Sequence, residues 1–155
     1  AAFSTIPFFL PSVSKQRPSQ AVRFADYGLN MPSFGLFASE AKLASKRDAI
    51  SRFASVTAMA WEYIHAGHQD EAVDAIVAQR PQARLDKTVL RGQIDALKPY
   101  FGTGARVGAM VPADWTDAVK TLSSVGLIGT TRAATDYYVE GLATPEKFSA
   151  LASKK

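Results

Sequence analysis

The chain has no cysteine, and only two histidines, His65 and His68, among its 155 residues. Without cysteine this segment has no disulfide framework, no zinc–thiolate site and no thiol nucleophile. That absence leaves the compartment open, because export to an oxidising space does not require a disulfide. No run of about 18 apolar residues occurs, so no stretch is long enough for a membrane-spanning helix. A basic tail and an aromatic-interleaved basic stripe are also missing. The net charge of +4 is spread along the chain, and its densest cluster is Lys42, Lys46 and Arg47. Nucleic acid is therefore not an expected partner. The first residues lack the basic region and long apolar stretch of a leader peptide. There is no initiating methionine, and Ala1-Ala2-Phe3 reads as the inside of a strand, so further residues are expected upstream.

What is present supports a core. Apolar residues make up 47% of the chain and charged residues 21%, which suits one domain or part of a larger one. The organising stretch is Val22–Ser39, VRFADYGLNMPSFGLFAS. It holds two strand-like runs, Val22–Ala25 and Phe34–Ala38, around a turn-rich loop with Asp26, Gly28, Asn30, Pro32 and Ser33. Glycine and asparagine tolerate positive φ and proline fixes φ, so the loop is expected to be rigid. A shaped loop at strand ends backed by helices is where α/β folds bind ligands; the plain alternative is an ordinary connection. Upstream, AFSTIPFFL predicts a buried strand ending near Ser4, followed by a bend at Pro7, which has no N–H for a ladder. Pro11–Gln20 reads as a polar loop or a loosely wound helical turn.

Helices are expected to fill the rest. Ser39 and Ser45 are candidate N-caps, the latter with Asp48 three residues on. The next helix, about Lys46–Ala66, carries Ile50, Phe53, Ala54, Thr57, Ala60, Trp61 and Ile64 as one apolar stripe, and Gly67 stops it. The stripe is expected to be buried against Phe34–Ala38. Further helices are expected over Gln69–Gln79, Asp86–Tyr100 with Asp86 as cap, and Pro112–Ser123, with a last piece starting at Thr144-Pro145-Glu146.

Few residues suggest chemistry. His65 and His68 form H-x-x-H, but Gly67 breaks the helix between them and no third ligand is set by spacing, so they read better as surface histidines than as a metal site. Gly102, Gly104 and Gly108 follow a helix rather than a strand and lack a Lys-Ser/Thr pair, so a helix connection is the better reading than a phosphate loop. Asp26 and Tyr27 could face a ligand, or could cap and pack the turn. Phe3, Ser4 and Thr5 carry the same two readings. Trp61 and Trp115 sit on apolar helix faces and read as core. No Ser-His-Asp set, carboxylate pair or nucleotide motif has supporting context, so an enzyme is not expected.

Taken in order, these residues resemble a family. FADYGLNMPSFGLFAS followed by RDAISRFASVTAMAWEYIHAGHQDEAVDAIV is similar to the second half of the periplasmic substrate-binding proteins of ABC transporters. The branch is the one that binds nitrate, sulfonates, taurine and thiamine-pyrimidine precursors. Its Tyr-Gly loop and returning strand are matched by Asp26-Tyr27-Gly28 and Gly35-Leu36-Phe37, and its Trp-x-Tyr helix by Phe53 and Trp61-Glu62-Tyr63. The following helix start resembles His68-Gln69-Asp70-Glu71-Ala72-Val73, with Gln69 in place of the usual proline. Gly108-Ala109-Met110 before Trp115 resembles a Gly-x-Met segment. The resemblance covers about Ala1 to Leu142.

It implies an α/β chain, the helix-rich C-terminal portion of a two-lobe type II periplasmic-binding-protein fold. Residues 1–30 would close one lobe and the crossover, and 31–155 would belong to the other. It also implies a monomeric, extracytoplasmic protein, without a cofactor or metal, that holds a small solute between lobes and hands it to a membrane permease. The cleft residues would be Phe3, Ser4, Thr5, Tyr27, Gly28, Asn30 and Ser33. Aromatic faces would come from Phe3 and Tyr27, and neutral hydrogen-bonding groups from the hydroxyls and the amide. The alternative within the same fold is a thiamine-pyrimidine precursor synthase, whose Cys-rich stretch has no counterpart here.

Overall fold

The computed structural model describes residues 5–29, 31–32, 34–101, 106–129, 132–144 and 146. Five α-helices run through these residues: α1 Ile6–Ser14, α2 Glu40–His65, α3 Gln69–Gln79, α4 Lys87–Leu97 and α5 Pro112–Ser124. Short 3-10 turns lie at Phe24–Tyr27, Pro81–Ala83, Lys98–Phe101 and Ala134–Asp136. No strand occurs among the described residues. The expected α/β architecture, and with it the two-lobe type II binding-protein frame, is therefore corrected to a helical one.

The physical reason lies in the short apolar runs. A strand leaves its N–H and C=O groups unpaired unless a neighbour supplies a ladder. Val22–Ala25 and Phe34–Ala38 have no such neighbour among the described residues. The first run turns into the 3-10 turn Phe24–Tyr27, and the second has no regular structure. Phe37 is 99% exposed, where a buried central strand was expected. Upstream, Ile6–Ser14 is a helix rather than a bend at Pro7, and of the two readings of Pro11–Gln20 the helical one holds for Pro11–Ser14. Pro7 falls within its first turn, where a missing N–H costs nothing. The strand expected to end at Ser4 lies outside the described residues.

The local helix signals held. Ser39 Oγ accepts from Lys42 N at 3.3 Å, and α2 starts immediately after it. The second candidate start survives as a break: Lys46 has non-helical angles (φ −129°, ψ 22°) inside α2. Ser45 itself donates to Ala41 O at 2.8 Å rather than forming the expected capping box. His68 N closes the end of α2 by donating to Ile64 O at 3.0 Å across Gly67. α3 has the expected bounds, and Asp86 caps α4 by accepting from Val89 N at 3.0 Å. The last expected helix lies mostly outside the described residues.

The chain divides into two compact units, each built from two separate segments. The first comprises Ala1–Ala21 and Met59–Val107, the second Val22–Ala58 and Gly108–Lys155.

In the first unit α1 and α3 both pack on α4. Pro7, Val73 and Ile94 are its buried side chains. Gln93 Nε2 donates to Phe8 O at 2.8 Å, and Lys15 at the end of α1 pairs with Asp86 at the start of α4. Asp74–Lys87 at 2.7 Å and the Asp70–Arg91 pair link α3 to α4. These pairs are solvent-exposed and help to set register more than stability. Gly92 marks the close approach of α1, since a Cβ there would lie 3.1 Å from Pro11 Cβ. Gly92→Val is therefore expected to cost about 1–3 kcal/mol in urea denaturation through overpacking. Unchanged or greater stability would show that α1 does not press on α4 at that point.

In the second unit the buried residues are Ser55 and Ala58 on α2 and Ala118 and Val119 on α5. Trp115 stacks on Tyr138 with ring centroids 5.2 Å apart. The expected α2 stripe is corrected here. In this unit Phe53 is exposed and Ile50 half-buried, and on the part of α2 that belongs to the first unit Ala60 is exposed and Trp61 and Ile64 half-buried, because no sheet lies against them among the described residues. Small residues hold the buried face instead: Ser55 donates to Ser51 O at 2.6 Å, and Thr144 N donates to Ser55 Oγ at 2.7 Å.

Candidate functional site

Of the seven residues expected at the cleft, Phe3, Ser4, Asn30 and Ser33 lie outside the described residues. Thr5 sits in the first unit as the N-cap residue of α1, where its backbone carbonyl accepts from Phe9 N at 3.2 Å. Tyr27 and Gly28 lie together in the second unit, at the end of the 3-10 turn.

That turn is tightly built. Asp26 N and Gly28 N donate to Arg23 O and Ala25 O at 3.1 and 3.2 Å, and Leu29 N reaches back to Phe24 O at 3.0 Å. Gly28 has φ +82°, a left-handed conformation that a Cβ would strain. Open space surrounds its missing Cβ, so the backbone angle rather than crowding requires glycine. Asp26 does not cap the turn through its side chain. Its two oxygens accept from Arg23 Nη2 at 2.6 Å and Nε at 3.2 Å, a fork-to-fork pair. The hydrogen bond from Arg23 holds the Asp26 carboxyl below the usual carboxylate range. With the base of the turn clamped in this way, the Tyr27 ring projects into solvent, 74% exposed. The arrangement can present one aromatic face and one hydroxyl on a fixed backbone.

The two histidines part company. His65 stacks on Trp61 (5.6 Å between centroids) and leans on Phe101 (5.1 Å). Both its ring nitrogens are buried without a hydrogen-bond partner among the described residues. His68 lies face to face on Tyr63 at 3.8 Å, with Nδ1 3.3 Å from Glu71 Oε2. Tyr63 donates to the same carboxylate oxygen at 2.8 Å, which raises the Tyr63 pKa. Among the described residues no group of three or more His, Asp or Glu side chains could hold a metal ion.

The environment of His65 has a pH consequence. Burial is the main cause of its lowered pKa, nearby Lys98 adds to it, and Asp95 opposes it. In the unfolded chain the imidazole takes up its proton near pH 6.5, while in the folded chain it does so only at lower pH. Over that window the unfolded state binds more protons, so stability falls as pH drops below about 6.5 and levels off once the folded form also protonates. The wild type is expected to lose more stability between pH 7.5 and 5.5 than His65→Phe, measured by urea denaturation. Identical losses would show that His65 does not carry the dependence.

A concavity lies in the second unit. Thr116, Val119, Lys120 and Ser123 of α5, with Arg132 and Ala134, line a groove of about 370 Å³. Sequence reading missed it. Thr116, Lys120 and Ser123 follow helical spacing on one face, a visible signal, but Arg132 joins them only through the fold. The groove in the first unit, lined by Asp70, Asp74, Lys87 and Arg91, has its charges paired with one another. No protein-family model matches the chain, and no curated protein and no solved structure shows significant similarity to it.

Proposed function

We propose that the chain is the solute-binding component of an ABC-type uptake system, which holds a small solute outside the cytoplasm for delivery to a membrane permease. The order of motifs along the chain, from Asp26-Tyr27-Gly28 through Trp61-Glu62-Tyr63 to Trp115, carries this reading. The clamped turn supports it, because Tyr27 stands exposed on a backbone fixed by Gly28 and the Arg23–Asp26 pair. Such a ring offers a stacking face to a planar solute at little entropic cost. The synthase alternative would need a donor histidine: His65 keeps both ring nitrogens buried, and the more exposed His68 has Nδ1 3.3 Å from Glu71 Oε2.

The test is thermal-shift screening of the chain against nitrate, taurine, other sulfonates and pyrimidines. A solute at a hundred times its Kd stabilises the native state by about 2.7 kcal/mol, which is several degrees for a chain of this size. Tyr27→Ala is expected to weaken the binding of a responding solute by about 1–3 kcal/mol. A folded protein whose midpoint none of these solutes raises would overturn the reading.

One observation favours a second reading, a helical protein-interaction module. Val22, Phe34, Leu36 and Phe37 are exposed within one short stretch, more apolar surface than isolated side chains would explain. A chain that self-associates or captures a partner through this stretch, and responds to no solute, would support it.

A further inference from the structure

The α5 groove places two cations and an unpartnered buried hydroxyl around one space. Lys120 and Arg132 both line it, and neither makes an ion pair with a carboxylate among the described residues. Lys87 and Arg91, which line the groove of the first unit, are by contrast both neutralised by aspartates. Two unneutralised cations at one groove repel each other, and an anion between them removes that repulsion. Ser123 Oγ adds a second, independent sign. It is buried without a hydrogen-bond partner among the described residues, although a buried hydroxyl is normally satisfied. The hydroxyl of Thr116 is already committed to Pro112 O at 3.0 Å, so it has no hydrogen left to donate to an anion. Val119 and Ala134 make the remaining wall apolar. The groove volume of about 370 Å³ lies in the range of small-ligand sites.

We infer that this groove binds a small organic oxyanion, its charged head held by Lys120, Arg132 and the Ser123 hydroxyl and its short apolar stem lying on Val119 and Ala134. Donors and cations meet the head, and no carboxylate among the described residues lines the groove to oppose it. The inference does not rest on the uptake reading, which is carried by the sequence motifs and the Tyr27 turn, so failure here leaves that reading untouched.

The experiment is a calorimetric titration of the whole chain with methanesulfonate, propanesulfonate and inorganic phosphate, with ionic strength held constant by sodium chloride. Saturable binding of all three is expected. Propanesulfonate, with two more methylenes, should bind up to about fifteenfold more tightly than methanesulfonate, since burying each methylene contributes about a fourfold gain. Lys120→Met and Arg132→Met should each weaken binding by roughly tenfold, as expected for losing a charge-assisted contact. Ser123→Ala separates a binding role from a structural one. It should weaken anion binding about threefold or more while the melting temperature without anion stays the same or rises, because an unsatisfied buried hydroxyl is removed. Absence of saturable binding would overturn the inference. So would binding that survives both cation substitutions, or a Ser123→Ala variant that melts earlier yet binds the anions as tightly as the wild type.

Discussion

Replacing Ile94 by alanine is expected to cost about 2–5 kcal/mol, the range for deleting a branched aliphatic side chain from a core. Ile94 is 5% exposed on α4, the helix on which α1 and α3 both pack. The substitution removes three carbons, and at about 0.8 kcal/mol each the transfer contribution alone approaches 2.4 kcal/mol. The rest depends on whether the surroundings can collapse into the space. α1 is held in place by the Gln93–Phe8 hydrogen bond and the Lys15–Asp86 pair, which favours the upper half of the range. Urea denaturation would show the loss as a lower midpoint at unchanged slope. Phe37→Ala is the matched comparison. Phe37 is the larger side chain but is 99% exposed, so its removal should change stability by less than about 0.5 kcal/mol. A loss above about 2 kcal/mol at Phe37, with little at Ile94, would reverse the assignment of core and surface.

Ser55→Leu should be more damaging still. Ser55 is fully buried, at 0% exposure, and its oxygen serves two bonds, donating to Ser51 O and accepting from Thr144 N. Nearby, Ser51 Oγ donates to Leu142 O at 2.6 Å, so two serines one turn apart fasten residues 142–144 to α2. Ser55→Ala leaves the Thr144 N–H without its acceptor and should cost about 1–3 kcal/mol. Leucine adds overpacking at a fully buried site, a further cost of about 1–3 kcal/mol. Amide exchange at Thr144 reads the mechanism directly, since it should accelerate in Ser55→Ala before the chain unfolds globally. Unchanged exchange together with a loss below about 0.5 kcal/mol would show that the serine does not hold this segment.

The helices were legible because their signals are local. The caps at Ser39 and Asp86, the stop at Gly67 and the prolines at 81 and 112 each act through one or two backbone groups, and each sits where the chain changes direction. The strands were not legible because a four- or five-residue apolar run suits a strand only if a neighbour is present to complete its ladder. Val22–Ala25 and Phe34–Ala38 carry no mark of whether that neighbour exists. The α2 stripe misled for a related reason. Helical spacing identifies a face but not what covers it, and the buried positions went to Ser55 and Ala58, the smallest residues available. At the candidate turn, the backbone role of Gly28 was readable from its residue type, whereas the pairing of Asp26 with Arg23 was not. The α5 groove needed Arg132, eight residues beyond the end of the helix.

The interleaving of the two units has a kinetic consequence. α1 completes its packing only against α4, and the Gln93–Phe8 hydrogen bond spans 85 residues. During synthesis at roughly 5–20 residues per second, α1 must then wait about 4–17 s for its partner to be made. Throughout that interval the apolar face of Ile6–Ser14 has nothing of its own unit to lie on, and residues 22–58, which belong to the other unit, emerge in between. A nascent chain stalled before Lys87 would therefore display α1 to any chaperone that reads short apolar segments, and release of that chaperone should coincide with the emergence of α4.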